Sequence, residues 1–576
     1  MHGFYNRILR IDLTTRETTV EPVPDEILAA YLGGKGLGTY LLLQHVPQGA
    51  DPLSSQNVLI IATGPATGSG LAPASRYGLY AKSPLTGLYG ESYAGGFVAP
   101  QINATGYDAI LLEGASSEPV YLEVSDQGVR FRDARGLWGL DTHATEDRVK
   151  ADVAVPGAQA IVIGPAGENL VPFALVNNNY WRHAGRTGMG AVMGSKKVKA
   201  VVFHGQAKPT FYDPAGVQSF DAALRRRGRE DPGAQAYREF GTPRLVATLN
   251  KVGGFPARYW SQGRVDHWSQ ISAEKLLERF DVRSHACYRC FMACGKISTV
   301  PDGPHVGLRI EGPEYETIYA FGGLCMISDL AEIIYLNELC DRLGMDTITA
   351  GNVIALVMEA SQRGVFKPAL DYGDAEGAAE LLEKIARQEG IGKLLSGGVR
   401  AASAALGLED IAVHVKGLEP AGYDPRVLKG MGLAYAVSDR GACHLRATVY
   451  KAELSGVIEP DAIEGKAQIL TDFEDRHTLF DTLIFCRFYR DLIGWDELAQ
   501  VIYVLTGLKL DKEGLAAMAR NITTRAREFN LREGMTPADD ALPERFHKEP
   551  LEPEQKVLSR EELRKMLDDY YALKGW

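Results

Sequence analysis

The segment "CYRCFMACGK", residues 287–296, contains three cysteines that are separated by two and then three residues. These are Cys287, Cys290 and Cys294, and thiolates at such spacing are typical ligands of a metal centre. Three interpretations fit the residues. They could hold a cubane iron–sulfur cluster whose fourth thiolate lies elsewhere in the chain, they could bind a structural zinc ion, or they could be unconnected buried cysteines.

Four further cysteines are candidates for a fourth ligand. Cys325 and Cys340 lie in apolar segments with helical spacing, where a buried cysteine usually behaves as a small hydrophobic side chain. Cys443 directly precedes His444, and Cys486 ends the segment "FDTLIFC". Spacing alone does not choose among these four residues.

The elements that must position these side chains follow two patterns along the chain. Up to about residue 206, short apolar runs such as "NVLIIATG", "YDAILLEG" and "AQAIVIG" alternate with glycine-rich turns, which predicts strands. From residue 207, segments such as "SDLAEIIYLNELCDRLG" show the apolar spacing of helices. We therefore predict an α+β fold with a β-rich domain over 1–206 and two mostly α-helical domains over 207–412 and 413–576.

Two local patterns predict helix boundaries. Near the N-terminus, "DEILAAYLGGKGLGTYLL" is typical of a helix, a glycine turn and a second helix. Its glycines do not form a dinucleotide-binding fingerprint, because Thr39 stands at the third glycine position and no strand precedes the segment. Ser559, followed three residues later by Glu562, predicts a capping box at the start of the last helix.

Composition excludes several classes of protein. The 576 residues include 62 basic and 73 acidic side chains, and a formal net charge of −11 argues against nucleic-acid binding. We expect the dense basic run "RRRGRE", residues 225–230, to be a solvent-exposed helix end. Seven cysteines are few for a disulfide framework and indicate a reducing cytosol. Without a signal sequence or a run of about 18 apolar residues, we expect a cytoplasmic protein with no membrane span.

Several long, irregular segments together carry a family resemblance that runs nearly end to end. They include "YLGGKGLGTYLL", "SRYGLYAKSPLTG", "GGFVAPQINATGYDAILLEG", "AGRTGMGAVMGSKKVKA", "EGPEYET", "CDRLGMDT" and "DRGACH". The sequence resembles the aldehyde ferredoxin oxidoreductase family of tungsten or molybdenum bis-pterin enzymes. The resemblance implies a β-structured base for the cofactor, covered by two helical domains. It also implies oxidation of aldehydes to carboxylic acids, with electrons passing through a [4Fe-4S] cluster to ferredoxin or to a small iron–sulfur or flavin subunit.

The resemblance assigns the cofactor-binding residues. It implies that Cys486 is the fourth cluster ligand, that Arg76 binds a pterin phosphate, and that the backbone carbonyls of Tyr93 and His183 hold a Mg²⁺ ion between two phosphates. It implies that Asp341 and Asp481 bind pterin ring nitrogens, through strong charge-assisted hydrogen bonds. The remaining positions matched to the pterin site are Gly95, Gly96, Arg182, Gly185, Gly344, Met345, Asp346, Arg446 and Phe485.

Four of these positions depart from the family pattern, and Tyr93 and His183 do so in their side chains. In "DTLIFC", Ile484 and Phe485 replace a glycine and a leucine, and Arg446 replaces a lysine-like position. The resemblance further implies three catalytic residues, Glu316 with its neighbour Tyr315, and His444. A glutamate in a dry pocket has a raised pKa, which suits acid–base chemistry near pH 7. We expect His444 to polarise the aldehyde carbonyl and Glu316 to accept a proton as water attacks the carbon.

Other functions fit part of the sequence. The chain could be a 2-oxo or 2-hydroxy acid oxidoreductase or an aromatic acyl-CoA oxidoreductase of the same family, although "GPEYE" favours aldehyde chemistry over the acyl-CoA branch. A non-catalytic iron–sulfur subunit would not need Arg76, Arg182, Glu316 and His444 together. The segment "YLNE", residues 335–338, lacks the E-x-x-H pattern of the family's dimer-interface metal, and this leaves a homodimer and a hetero-oligomer both open.

Overall fold

The computed structural model describes residues 1–576, and its N-terminal part contains two six-stranded sheets. The first sheet has the order β2-β1-β6-β3-β4-β5, and the second has the order β11-β10-β9-β12-β7-β8. Most neighbouring strands are antiparallel, but β1 and β6 pair in parallel, as do β7 and β12. The strands are β1 (Arg7–Asp12), β2 (Glu17–Pro22), β3 (Leu59–Ala62), β4 (Tyr77–Lys82), β5 (Tyr89–Ala94), β6 (Ala109–Glu113), β7 (Val120–Ser125), β8 (Gly128–Asp133), β9 (Gln159–Val162), β10 (Val176–Asn178), β11 (Arg182–Ala184) and β12 (Val198–Phe203).

Strands β3, β4 and β5 of the first sheet are buried on both faces, whereas the edge strand β2 is largely exposed. Leu59 and Ile61 belong to the apolar core between the two sheets, whereas Ile60 and Ala62 belong to a core shared with helices. Successive side chains of a strand point to opposite faces. A strand that is buried on both faces therefore reads as the continuous apolar run found in the sequence.

Helices of the N-terminal part flank these sheets. They are α1 (Asp25–Tyr31), α2 (Gly34–His45), α3 (Val98–Ala104), α4 (Thr142–Val153), α5 (Pro165–Glu168) and α6 (Met189–Ser195). The predicted pair of helices near the N-terminus is confirmed, but the prediction that the glycine run forms the turn is wrong. The run lies inside α2, and a Cβ at Gly38 would lie 2.5 Å from the Tyr80 ring. The glycine is needed for close packing on β4.

Helices dominate the rest of the chain, together with a small antiparallel sheet of β13 (Asp281–His285), β14 (Gly295–Thr299) and β15 (Arg309–Glu311). These helices are α7 (Pro214–Glu230), α8 (Pro232–Phe240), α9 (Leu245–Val252), α10 (Ala273–Arg279), α11 (Tyr315–Thr317), α12 (Leu330–Leu343), α13 (Thr347–Gln362), α14 (Ala375–Arg387), α15 (Ile391–Leu395), α16 (Gly398–Leu406), α17 (Lys429–Val437), α18 (Val449–Leu454), α19 (Lys466–Leu483), α20 (Trp495–Thr506), α21 (Lys512–Arg532), α22 (Glu544–Lys548) and α23 (Arg560–Lys574). The predicted α+β fold class and the capping box at Ser559 are both confirmed.

Two large apolar cores organise the helical part. One core includes residues on both sides of position 412, such as Ile354 of α13, Met431 of α17 and Tyr570 of α23. This shared core does not separate the two helical domains predicted on either side of position 412, so that domain boundary stays a prediction. The other core joins α7, α20 and α21 to the first sheet and α2. None of the helices combines the length and the apolar composition needed to span a bilayer.

We expect Gly38→Ala to lower the melting temperature. The new methyl group would press on the buried Tyr80 ring, and overpacking of this kind typically costs about 1–3 kcal/mol. Gly136→Ala is the matched control, because a Cβ there meets no atom within 4 Å. Thermal unfolding followed by circular dichroism compares the two, and equal melting temperatures would contradict the packing role of Gly38.

Candidate active site

A cavity of about 380 Å³ lies where the N-terminal sheets meet the helical part of the chain. Strands β5 and β11, the loop between β13 and β14, helix α11 and the loop before α18 all contribute residues to its wall. Most of the site residues predicted from the sequence line this cavity. They are Arg76, Tyr93, Gly95, Arg182, His183, Gly185, Cys287, Cys290, Cys294, Tyr315, Glu316, Asp341, Met345, Asp346, His444 and Cys486.

The four predicted cluster ligands reach the cavity from two segments. Cys287, Cys290 and Cys294 lie in the loop between β13 and β14, and Cys486 follows the end of α19. None of them forms a disulfide. A Cβ at Gly95 would lie 3.0 Å from the Cys287 sulfur, so the absence of a side chain there leaves room for the thiol. The other three cysteines lie outside the cavity wall.

The environment of the thiols indicates what they can bind. Burial raises the pKa of the Cys290 thiol to about 11, and the nearby Cys486 and Cys287 add to the increase. Thiolates here need a bound cation to stay ionised. Three thiols of one loop and a fourth from the end of α19 form the kind of donor set that holds a thiolate-ligated metal centre.

Glu316 and His444 form a second group in the same cavity. Oε2 of Glu316 accepts a hydrogen bond from the Gly422 amide at 2.9 Å, and Oε1 lies 3.5 Å from Nε2 of His444. Burial raises the pKa of Glu316 to about 8. Burial, with Arg186 and Arg440 nearby, lowers the pKa of His444 well below its usual value. At neutral pH this close contact therefore joins a carboxylic acid to a neutral imidazole, and is not an ion pair.

Tyr315 contributes by holding this pair in place. Its hydroxyl donates to the Gly422 carbonyl, and its amide donates to the Thr242 hydroxyl at 2.8 Å. The Gly422 amide in turn holds Glu316. Because the Tyr315 hydroxyl already has a partner, the geometry favours a positioning role over the catalytic role predicted from the sequence.

The two predicted pterin-binding aspartates have different surroundings. Asp341 lines the cavity, accepts a hydrogen bond from Asn337 at 2.8 Å and lies 3.2 Å from Nε2 of His183, although the angles there are poor for a hydrogen bond. Burial raises the pKa of Asp341 well above its usual value. Asp481 lies outside the wall and forms ion pairs with Arg446, at 2.6 Å, and with Arg487.

Four other predicted residues also lie outside the cavity wall. Arg446 is held by Glu91 and Asp481. Phe485 packs in the apolar core with its ring centre 5.9 Å from that of Phe480. The remaining two are glycines in left-handed conformations, with φ of +98° at Gly96 and +80° at Gly344, where the latter ends α12.

The predicted phosphate and magnesium positions lie at the edges of the two sheets. Tyr93 is on β5, the last strand of the first sheet, and His183 is on β11, the first strand of the second sheet. These edge strands lie side by side, and an edge strand has backbone carbonyls without a strand partner. Arg76 donates to the Tyr93 carbonyl at 3.4 Å and has no carboxylate partner, whereas Arg182 pairs with Glu311.

Comparisons with known proteins assign the chain to a family. Sequence models described as "Aldehyde ferredoxin oxidoreductase, N-terminal domain" and "Aldehyde ferredoxin oxidoreductase, domains 2 & 3" match residues 8–205 and 220–576. Two relatives are each 36% identical to this chain over 592 residues, and each alignment covers 100% of this chain and 97% of the relative. They are the tungsten-containing aldehyde ferredoxin oxidoreductases of Pyrococcus furiosus and Thermococcus kodakarensis. The chain belongs to the aldehyde ferredoxin oxidoreductase family. The predicted family is thus confirmed, and the protein is an oxidoreductase.

A solved structure shares the fold of this family member. The active-site complex BamBC of benzoyl coenzyme A reductase, in complex with 1,5-dienoyl-CoA, matches with a TM-score of 0.86 at 24% identity. The match covers 100% of this chain and 95% of that chain.

Sequence reasoning missed four buried arginines of the cavity wall, namely Arg487 and Arg490 just after Cys486 and the two described next. Arg186 donates to Asp346 at 3.0 Å and to the Glu419 carbonyl at 2.7 Å. Arg440 donates to the Cys443 sulfur at 3.0 Å and to the Glu91 carbonyl at 2.6 Å. Both stand inside quoted family motifs, "AGRTGMG" and "DRGACH". Their place in these motifs could have marked both arginines as candidate site residues. The motifs do not reveal which atoms each guanidinium would hold.

Unpartnered polar atoms indicate that the cavity suits the family's cofactors. Oε1 of Glu316, Nδ1 of His444, Nε2 of His183 and Nε of Arg182 are buried and have no hydrogen-bond partner within the protein. Buried polar groups are normally satisfied. A bound group with acceptors and donors would satisfy them, and four thiols on the same wall suit an iron–sulfur cluster.

We expect an infrared difference spectrum between the wild type and Glu316→Gln to contain the carbonyl band of a protonated carboxylic acid at pH 7. The band should decrease with a midpoint near pH 8, because burial holds the proton on Glu316 up to about that pH. Glu383→Gln, at an exposed position on α14, is the control and should lack the band. A Glu316 carboxylate band already present at pH 6 would contradict the neutral pair.

Proposed function

We propose that this enzyme oxidises aldehydes to carboxylic acids at a tungsten bis-pterin centre and passes the electrons through a [4Fe-4S] cluster to ferredoxin. The family assignment and the names of the relatives support this choice. One observation carries the proposal. Four thiols and the Glu316–His444 pair, which come from distant parts of the chain, line a single cavity.

Different residues of the cavity wall would hold the iron–sulfur cluster, the pterin groups and the Mg²⁺ ion. The four cysteines would bind the cluster, and Arg76 and Arg182 would bind the pterin phosphates. Asp341, which lines the cavity, would bind a pterin ring, while the ion pairs of Asp481 would have to rearrange for it to do the same. The edge-strand carbonyls of Tyr93 and His183 would bind Mg²⁺, which prefers oxygen ligands. When bound, the tungsten–pterin group supplies the acceptor for two electrons.

The protein's own residues would control the proton and the carbonyl group. The reaction converts an aldehyde and water into a carboxylic acid, two protons and two electrons. Nδ1 of His444 has no partner within the protein, so it can donate a hydrogen bond to the aldehyde oxygen as negative charge develops there. The Gly422 amide occupies Oε2 of Glu316, which leaves Oε1 to accept the proton of the attacking water.

The wall beside this pair excludes water. Tyr423 and Tyr450 stack with ring centres 4.2 Å apart, and Tyr423 lies 5.8 Å from the His444 ring. An aromatic wall of this kind suits the apolar part of an aldehyde. It also keeps Glu316 in the dry surroundings that raise its pKa.

We expect the protein purified without oxygen to contain about four iron atoms and one tungsten atom per chain. Cys486→Ser should lose most of the iron, because it removes one of four thiolate ligands. Cys325→Ser is the matched control, since the Cys325 thiol lies outside the cavity, in an apolar core, and donates its hydrogen bond to the Gly351 carbonyl at 3.4 Å. Elemental analysis and electron paramagnetic resonance of the reduced protein measure the result. A full iron content in Cys486→Ser, or zinc in place of iron, would refute the ligand assignment.

We expect kcat/KM for an aldehyde, measured with benzyl viologen as acceptor, to rise about tenfold per pH unit below pH 8 and to level off above it. The reason is that only the ionised form of Glu316 can accept the proton, and its pKa is raised to about 8. Glu316→Gln should lower the rate by about 10²–10⁴-fold and remove this pH dependence. Glu383→Gln should leave both unchanged. A rate that falls with rising pH between 6 and 8 would instead make Glu316 the acid.

A further inference from the structure

The loop that carries three of the cluster cysteines reaches the protein surface. Tyr288 is 38% exposed and Arg289 is also exposed, and they separate Cys287 from Cys290, which both line the cavity. A group held by these thiols would therefore lie directly beneath an exposed turn. An electron carrier that touches this turn would come close to the cluster without entering the cavity.

The C-terminal end of helix α7 lies directly beside this loop. Arg225 donates to the Arg289 carbonyl at 2.9 Å, and its guanidinium lies 6.0 Å from the centre of the Phe291 ring. On the next turn, a Cβ at Gly228 would overlap the same ring. The basic run of residues 225–230 is exposed, as predicted from its charge pattern, but it also packs against the cysteine loop.

Three arginines of this region have no carboxylate partner. We call Arg226, Arg229 and Arg289 the arginine surface, and all three are exposed. Residues three or four apart share a helix face, which places Arg229 beside Arg225 and Arg226 beside Arg229. The other two arginines of the run are neutralised, because Arg225 and Arg227 form ion pairs of 2.6 Å with Asp221 and Glu497. Glu230 at the helix end is the exposed carboxylate of the run.

This local excess of positive charge contrasts with the whole chain, whose formal net charge is −11. An acidic partner would be repelled by most of the protein and attracted to a basic patch, and charge complementarity of this kind steers association. We propose that the arginine surface docks an acidic iron–sulfur electron carrier against the Cys287–Cys290 turn. This proposal rests on the proposed function, since it assumes that electrons leave through the cluster.

The test uses the cofactor-loaded enzyme, a purified acidic ferredoxin with two [4Fe-4S] clusters and the variant Arg226→Glu/Arg229→Glu. At an ionic strength of about 0.05 M, kcat/KM for the ferredoxin should fall about tenfold or more, because steering raises association rates by 10–10³-fold. The affinity for the oxidised ferredoxin, measured by calorimetry, should fall in parallel. Above about 0.5 M salt the difference should shrink to less than twofold, because screening limits such attraction to a few ångströms.

The control variant is Arg387→Glu/Arg564→Glu. Both residues are exposed, have no carboxylate partner and lie on α14 and α23, which pack in the core that does not include α7. This variant should bind and reduce the ferredoxin as the wild type does. The kcat with saturating benzyl viologen should be unchanged in both variants, because a small dye does not need the docking surface.

The possible results separate the docking proposal from the proposed function. Wild-type ferredoxin affinity in Arg226→Glu/Arg229→Glu, or an equal loss in the control variant, would overturn the docking surface even if aldehyde oxidation is normal. A wild-type enzyme that does not reduce viologen with any aldehyde would overturn the proposed function. In that case the calorimetric comparison would still decide whether the arginine surface binds the carrier.

Discussion

The close approach of the end of α19 to the start of α2 and to the loop after β3 is the contact on which the cavity depends. A Cβ at Gly64 would lie 2.8 Å from the Thr482 carbonyl oxygen, and one at Gly34 would overlap the Asp481 carbonyl. Glycine allows this approach because it has no side chain to separate the two backbones. Immediately beyond the contact, the Cys486 amide donates to the Pro73 carbonyl at 2.9 Å. This anchoring brings Cys486 to the cavity that the other three cysteines line.

Two glutamates of the protein interior have pKa values that are shifted in opposite directions. Burial removes most of the water around both Glu91 and Glu316, which by itself raises a carboxyl pKa. Nearby Arg446 and Lys35 nevertheless hold the pKa of Glu91 below its usual value, whereas Glu316 has an amide donor and a neutral histidine as neighbours, and its pKa rises to about 8. Glu91 can therefore serve as a fixed structural charge. Glu316 is left able to gain or lose a proton near neutral pH.

The cavity has two ends with different access to solvent. The Glu316–His444 end is largely buried, with side chains that are 17% and 12% exposed. The Cys287–Cys290 turn lies at the surface beside α7. Proton chemistry in low-dielectric surroundings is sensitive to each nearby charge, whereas electron transfer needs only a short path to a partner. One cavity can serve both requirements because its Glu316–His444 wall and its cysteine loop come from different elements.

The sequence by itself determined the fold class and the family, because apolar periodicity and long irregular motifs are local properties of the chain. Most of the residues that it proposes for the site line one cavity. It also placed the capping box at Ser559. It did not determine that the "GKGLG" run forms the first residues of α2, because glycine is suited there by the close packing of Gly38 on Tyr80 from another element. Nor could it show that Asp341 faces the cavity while Asp481 is held by Arg446 and Arg487. Only the tertiary structure decided which charges become neighbours, since these residues are far apart in sequence and an ion pair depends on distance in space.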